Sequence, residues 1–494
     1  MPGPQDAERF EAHMSDSDAL MWNIEKDPLL RSTIVTVLFF DQAPDWVTLV
    51  ARIERGSWLI PRMRQRVATP MMRMGPPHWS GDANFDLMYH LRRVSACEPS
   101  DQAVLEIARN AAMAGFDRSR PLWEYTLVEG LEGGRAAFVM KVHHSMTDGV
   151  GGMKLLLMLF DFERAAADPG PLDQVEAIPT FGPTDLVLKS LSHGRRRIVG
   201  MARRTATDLW NGASAVARHP QETLTQAVEV GGSIVRFLAP ATVPHSPIMR
   251  ARTLSRGLGF FDVPLNDLKR AGKEAGGSLN DAFVAAVIGG LARYHEFHGE
   301  PVEELRMVMP INLRDAGAAM GGNHFTPARF LVPMRIKDPA DRIIELGRIT
   351  RVVRNEPAVA LTDALAGILN QLPTTVTTAV FGSMLKGADF VTSNVPGAPF
   401  PIYAGGAQLE NMYAFGPLSG AAVNVTLLSN CGTCCIGVNL DSVAIPDQEF
   451  FMSCLEDAFA EVLTLAGPSA SASVSTFVRT CDGRLPTRAP SLEP

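Results

Sequence analysis

Cysteine is scarce in this sequence, with six residues among 494. A fold held by disulfides would need far more at this length, so we do not expect a disulfide scaffold. Cys431, Cys434 and Cys435 lie close together, but no second pair of Cys or His follows them at the spacing of a zinc site. The sequence therefore predicts no metal site, and we interpret these cysteines as small buried residues of a strand.

An excess of positive charge is also missing. The 46 basic residues are outnumbered by 53 acidic residues, which gives a formal net charge of -7. Because nucleic-acid binding depends on neutralising phosphates with Lys and Arg, we expect no nucleic-acid partner. Residues 1–17 are polar and carry acidic side chains where a secretory signal has an apolar stretch. We expect a cytoplasmic location.

The sequence contains no uninterrupted hydrophobic run that would form a membrane span. Residues 411–440 lack charged side chains, but glycine, proline and asparagine interrupt them repeatedly. Strand-forming residues at 423–429 and 433–439 flank a short turn. This stretch predicts a buried β-hairpin, and we expect no transmembrane helix.

The chain does contain enough apolar material for a large core. Hydrophobic residues make up 46% of the sequence and charged residues 20%, as in ordinary folded proteins. Its length exceeds the size at which one core usually splits, and strand-like and helical patterns alternate. We predict a mixed α/β fold with two domains. The predicted divisions are an N-terminal domain at 1–164, a helical linker at 165–255, a C-terminal domain at 256–467 and a mobile tail at 468–494.

A basic segment lies within the predicted linker. Residues 184–238 combine helical spacing, a cluster of Lys and Arg, apolar positions and Trp210. Basic amphipathic helices with an aromatic anchor can lie on anionic bilayers. A solvated helical bridge between two domains would show the same pattern. Both interpretations remain open, and the first would place the protein at the inner membrane face or on lipid droplets.

The most specific local pattern is His-His-x-x-x-Asp-Gly at residues 143–149, between an alternating strand and a glycine-rich helix start. Histidine suits general base catalysis because its ordinary pKa of about 6.5 lies near cellular pH. Successive strand residues point to opposite faces, so only one of His143 and His144 can face a reacting centre. The other packs or hydrogen-bonds behind it. This divergence disfavours metal binding, and Asp148 is interpreted as a helix N-cap that shapes the loop.

Further short segments with distinctive residues are spread over most of the chain. They are Ser15-Asp16-Ser17-Asp18-Ala19-Leu20-Met21-Trp22, Pro61-Arg62-Met63-Arg64-Gln65-Arg66, Pro121-Leu122-Trp123, Asn280-Asp281, Pro310-Ile311-Asn312-Leu313-Arg314, Gly322-Asn323 and Ser393-Asn394-Val395-Pro396-Gly397. In this order, and with the paired histidines, they resemble the bacterial wax ester synthase/diacylglycerol acyltransferase family. That family lies within the chloramphenicol acetyltransferase-like superfamily. Each segment alone is a weak signal, but their order makes the set specific.

The resemblance implies two similar domains that meet at an active-site tunnel. It makes His144 the catalytic base, with His143 beside it and with Asp148 and Gly149 holding the loop. It also implies that Asn280 assists at the site. From the residues alone, a capping box formed by Ser278 and Asp281 would place Asn280 in the first turn of a helix, where negative charge is stabilised. The two interpretations of Asn280 are compatible.

Other candidate residues have competing structural interpretations. Ser393 and Asn394 resemble a loop near the domain interface, which a turn fixed by Pro396 and Gly397 would also explain. Gly149 and Trp123 are further candidates for substrate contact. Trp123 and the methionines Met71, Met72 and Met74 could line an acyl channel, because thioethers adapt to flexible chains, although Trp and Met mostly serve packing.

The resemblance implies an acyl-CoA-dependent O-acyltransferase that uses acyl-CoA as a substrate and needs no cofactor. The acceptor would be diacylglycerol, giving triacylglycerol, or a long-chain alcohol, giving a wax ester. We expect direct transfer in a ternary complex, because the sequence lacks a Gly-x-Ser-x-Gly nucleophile motif. Two alternatives are a condensation-domain-like enzyme with carrier-bound or specialised substrates, and a non-catalytic lipid-binding or lipid-droplet protein.

Overall fold

The fold is described from a computed structural model of the chain. The structure describes residues 13–70, 76–147, 149–170, 243–312, 325–354 and 373–467, with short pieces at 172, 177–182, 184–186, 188, 366–367 and 369–370. The Met71, Met72 and Met74 group and Asp148 therefore lie outside the described residues. So do the mobile tail predicted at 468–494 and nearly all of the basic segment predicted at 184–238.

The N-terminal half alternates strands and helices, as its patterns predict. Ser15 and Asp45 cap the first two helices by accepting hydrogen bonds from the backbone N–H groups of Asp18 and Thr48. In chain order the elements are α1 (Asp16–Ile24), β1 (Thr33–Phe40), α2 (Trp46–Leu59), β2 (Gln65–Ala68), β3 (His78–Gly81), α3 (Leu87–His90), β4 (Leu91–Ser95), α4 (Asp101–Met113), β5 (Trp123–Glu129), β6 (Ala136–His143) and α5 (Gly149–Leu159).

The C-terminal half builds a second sheet with its own helices. Its described elements are β7 (Arg256–Pro264), α6 (Leu265–Glu274), α7 (Leu279–Phe297), β8 (Glu304–Asn312), β9 (Phe325–Pro333), α8 (Pro339–Arg354), α9 (Thr374–Lys386), β10 (Phe390–Val395), β11 (Tyr403–Ala404), β12 (Ala407–Phe415), β13 (Val423–Asn430), β14 (Thr433–Asp441) and α10 (Gln448–Leu463). Six of the described strands pair in the order β7-β14-β13-β10-β8-β9. Helices α7 and α10 pack on this sheet and supply much of a large core.

The first sheet borrows two strands from the C-terminal half. Its described order is β11-β12-β1-β6-β5-β4, and β12 pairs antiparallel with β1 so that Val35 lies opposite Phe415. The sequence-based division into consecutive domains does not include this exchange. Because of this exchange, dividing the chain at one position does not separate the two sheets.

Several local predictions agree with the structure. Helix α7 begins with the predicted capping box: Ser278 accepts from the N–H of Asp281, whose side chain accepts from the N–H of Ser278. The predicted hairpin forms from β13 and β14. Its turn holds Cys431 and Gly432 at positive φ (45° and 90°), the geometry of a tight two-residue hairpin turn. Cys434 and Cys435 are buried in β14, whereas Cys431 is exposed in the turn.

Among the described helices, none is on its own long and apolar enough to cross a membrane. Helices α6 and α7 pass that test only as a pair, with a 93° bend between them.

Candidate active site

The two motif histidines lie where β6 ends. His143 is the last residue of the strand, and His144 begins a single 3-10 turn over His144–Met146. The backbone N–H of His143 donates to the carbonyl of Leu122 at 3.0 Å, and that of His144 donates to the carbonyl of Ser32 at 2.8 Å. Backbone hydrogen bonds to two different segments therefore hold the two histidines in place at the end of β6.

His143 faces away from open space and is almost fully buried. Its Nε2 atom lies 2.8 Å from Oε1 of Glu25, and its Nδ1 atom accepts from the backbone N–H of Ser145 at 3.0 Å. Edge-on contacts from Trp22 and Phe116 enclose the ring. This is the packed, hydrogen-bonded histidine that strand alternation predicts.

His144 faces the other way and lies in the wall of a cavity of about 410 Å³. The wall is contributed by both sheets and is mainly apolar. Helices α1 and α5 and strands β1, β6 and β12 of the first sheet form one part, and strands β10 and β13 of the second sheet form another. The two histidine side chains therefore point in different directions, and His144 is the one that borders the cavity.

The cavity wall, as far as its residues are described, contains few ionisable groups. Among the described lining residues, the side chains that titrate are His144 and Tyr125. Burial raises the pKa of the Tyr125 phenol, so this group stays neutral at physiological pH. His144 is consequently the described lining side chain suited to exchanging a proton near neutral pH.

Apolar residues of two separate packed clusters line the cavity. One cluster is built on the first sheet and α5, and includes Tyr125, Met140, Leu156 and Leu159. The other, a small cluster, lies between α1 and α9. Its cavity-lining members are Leu20, Ile24, Ala366, Leu369, Phe381 and Leu385. An apolar chain can lie against either cluster without leaving polar groups of the wall unpaired.

Methionine is prominent in the wall, at positions that the sequence reasoning missed. A local signal was available, because Met140, Met146 and Met153 lie on either side of the His-His motif. The full set of described lining methionines is Met21, Met63, Met140, Met146, Met153 and Met412. Their flexible thioethers give the cavity an adaptable surface.

Two of the three predicted polar residues from the second half lie in this wall. Ser393 and Asn394, near the end of β10, line the cavity. Asn280, in the first turn of α7, is not among the described lining residues. Its Oδ1 atom accepts from Nδ2 of Asn394 at 3.4 Å, and its Nδ2 atom lies 3.6 Å from the sulfur of Met309. Asn280 thus accepts a hydrogen bond from Asn394 without lining the cavity itself.

Gly149 lines the cavity as the first residue of α5, whereas Trp123 lies in the core. The Trp123 indole is fully buried, stacks on His90 and donates to the carbonyl of Met63 at 2.7 Å. Tyr125, two residues further along β5, takes the lining position. The position of Trp123 therefore does not support the expected substrate contact.

Three or more His, Cys, Asp or Glu side chains grouped as a metal site are not found among the described residues.

Comparison with known proteins identifies the family. The model for the wax ester synthase/diacylglycerol acyltransferase catalytic domain matches residues 14–283, and that for the family's C-terminal domain matches residues 321–462. A protein of Mycobacterium tuberculosis H37Rv, provisionally named a diacylglycerol O-acyltransferase, is 36% identical over 93% of both chains. A second one from the same strain is 29% identical over 84% of this chain and 81% of its own. The chain belongs to the wax ester synthase/diacylglycerol acyltransferase family.

Solved structures agree on the fold of this wax ester synthase/diacylglycerol acyltransferase family member. The family enzyme from Marinobacter aquaeolei VT8 superposes with a TM-score of 0.58 at 20% identity, over 92% of this chain and all of that one. The first condensation domain of the calcium-dependent antibiotic synthetase gives the same TM-score at 16% identity, over 95% and 98% of the two chains. The predicted family, fold class and acyltransferase activity are confirmed. The fold itself does not distinguish O-acyltransferases from condensation domains.

Proposed function

We propose that this acyltransferase moves a fatty acyl group from acyl-CoA to the hydroxyl of diacylglycerol or a long-chain alcohol, with His144 as the general base. The observation that carries the proposal is the place of His144 in the wall of a mainly apolar cavity. Its side chain is the one described lining group that can exchange a proton near neutral pH, and the apolar clusters on the wall suit lipid chains.

The chemistry follows from this position. His144 takes the hydroxyl proton as the alcohol oxygen attacks the thioester carbonyl, which forms the new C–O bond and a negatively charged tetrahedral intermediate. When the intermediate collapses, the C–S bond breaks and the imidazolium returns its proton to the departing CoA thiolate. One histidine thus serves both steps, the protons balance, and acyl-CoA enters as a substrate.

The intermediate needs a hydrogen-bond donor for its oxyanion. Asn394 is the better candidate of the two asparagines because it lines the cavity, whereas Asn280 contacts Asn394 from behind. In this proposal the amide of Asn394 donates to the oxyanion, and Asn280 holds that amide in place. From the family pattern, we also propose that Asp148 and Gly149 hold the loop that carries His144.

Diacylglycerol and long-chain alcohols are nearly insoluble in water, so the enzyme would take its acceptor from a lipid surface. We propose a cytoplasmic protein that works at the inner membrane face or on lipid droplets. The basic, amphipathic character of residues 184–238 supports this proposal at the level of sequence.

An acceptor panel tests the reaction. The purified protein is incubated with palmitoyl-CoA and, separately, with diacylglycerol, long-chain alcohols and long-chain amines, while CoA release and lipid products are followed. An ester product supports the proposal and identifies the acceptor. Amide formation, or transfer only from a carrier-bound acyl group, would favour a condensation-like enzyme. Binding of these lipids without turnover would favour a lipid-binding role.

A further inference from the structure

Glu25 forms a buried connection behind the active-site turn. It caps the C-terminal end of α1, and its side chain is 8% exposed. Its Oε1 atom accepts from the backbone N–H of Ser32 at 2.6 Å and lies 2.8 Å from Nε2 of His143. Its Oε2 atom lies 3.3 Å from a guanidinium nitrogen of Arg118. Burial alone would raise the pKa of this carboxyl group, but His143, the Ser32 amide and Arg118 outweigh it and lower the pKa. The group is therefore ionised at neutral pH.

The same contacts assign the proton on His143. The backbone N–H of Ser145 donates to Nδ1, so Nδ1 is an acceptor and the ring proton lies on Nε2, facing Glu25. The ring is consequently held at both nitrogens. The Ser145 bond also closes the short turn that carries His144, because the His143 side chain caps that turn.

Glu25 reaches the backbone of His144 by a second route. Ser32 donates its N–H to Glu25 and accepts the N–H of His144 with its carbonyl. Two short chains of hydrogen bonds therefore run from one carboxylate to the turn, one through Ser32 and one through His143 and Ser145.

We propose that Glu25 is a positioning residue for the acyl transfer, because it fixes the His144 turn through Ser32 and His143. This inference rests on the proposed function of His144. A general base must lie within hydrogen-bond reach of the reacting proton, and a displacement of about 1 Å can cost about 100-fold in rate. Loss of the carboxylate frees both chains at once and lets the turn relax.

Three variants separate positioning from simple stability. Glu25→Ala removes the acceptor, and Glu25→Gln retains an oxygen that can accept from Ser32 and His143. Glu129→Ala is the matched control, since Glu129 makes an ion pair with Arg93 at the far end of the first sheet. We expect kcat to fall by about 30-fold or more in Glu25→Ala, with KM for acyl-CoA within about twofold. Glu25→Gln should recover most of this loss, and the control should match the wild type.

A double-mutant cycle adds a sharper readout. If Glu25 acts through His143, Glu25→Ala combined with His143→Ala should lower kcat no further than the worse single variant. Should Glu25→Ala fail to fold, Glu25→Asp replaces it: the shortened carboxylate should lower kcat more than Glu25→Gln does.

Each result decides for or against the inference. An unchanged kcat in folded Glu25→Ala, a rise in KM alone, or fully additive losses in the double variant would overturn it, while the wild-type rate would still support the proposed function. No ester from the wild-type protein would instead reject the proposed function, and the inference with it.

Discussion

Gly149 and Val395 bring the two halves of the site into direct contact. A Cβ atom built on Gly149 would lie 2.6 Å from Cγ2 of Val395, closer than packed carbon atoms approach one another. Gly149 begins α5 directly after the motif loop, and Val395 ends β10 next to Asn394. The missing side chain thus allows the loop that carries His144 to approach the strand that carries Asn394.

The Gly149→Ala variant tests this approach. The added methyl group must push α5 and β10 apart, and overpacking of this kind costs about 1–3 kcal/mol of stability. We expect kcat/KM for acyl transfer to fall about 10-fold or more. Adding Val395→Ala should restore part of the activity, because it removes the carbon atoms that the new methyl group meets. Wild-type kcat/KM in the single variant would show that the close contact does not matter for catalysis.

The two asparagines should differ in importance. Asn394 borders the cavity, so Asn394→Ala should lower kcat by about 100-fold, as expected when one oxyanion donor is lost. Asn280→Ala removes only the support behind it and should have a smaller effect. Steady-state kcat values for both variants provide the comparison. A larger loss in Asn280→Ala would assign the donor role to Asn280 instead.

The two apolar clusters of the cavity wall should select different substrates. Leu156→Trp enlarges a lining side chain of the cluster on the first sheet and α5, and Leu385→Trp enlarges one of the cluster between α1 and α9. We expect each change to shorten the preferred chain length of one substrate, and the two changes to act on different substrates. Initial rates with acyl-CoAs and acceptors of graded length measure this. Val47→Trp, at a position 75% exposed, is the control. If both variants change the chain-length preference for the same substrate, the two clusters do not have separate roles.

The environment of Glu25 predicts how stability depends on pH. The lowered pKa means that this carboxylate stabilises the fold fully above its ordinary value of 4.5 and loses that effect as the pH falls further. Glu25→Gln cannot titrate. The difference in melting temperature between the wild type and Glu25→Gln should therefore be largest near pH 7 and shrink towards about pH 3.5. A constant difference over that range would be inconsistent with an ionised, paired Glu25.

Local features of this fold could be predicted from sequence, whereas long-range contacts could not. The alternation of strand residues correctly sends His143 and His144 to opposite sides, and Ser278 with Asp281 correctly opens α7. No local pattern shows that β12 joins β1, because their pairing depends on contacts far apart in the chain. The same limit applies to the link between Glu25 and His143. Trp123 shows a different limit, since a tryptophan on an alternating strand can lie in a cavity wall although it more often lies in the core.

The role of His144 is tested most directly by single-turnover acyl transfer from palmitoyl-CoA to the best acceptor of the panel. His144→Ala is compared with the wild type and with His298→Ala, a control at the end of α7, where the ring lies near Asp447. We predict a loss of about 100- to 10,000-fold in His144→Ala, the range for removal of a general base, and no change in the control. Transfer by His144→Ala at the wild-type rate would contradict the central claim.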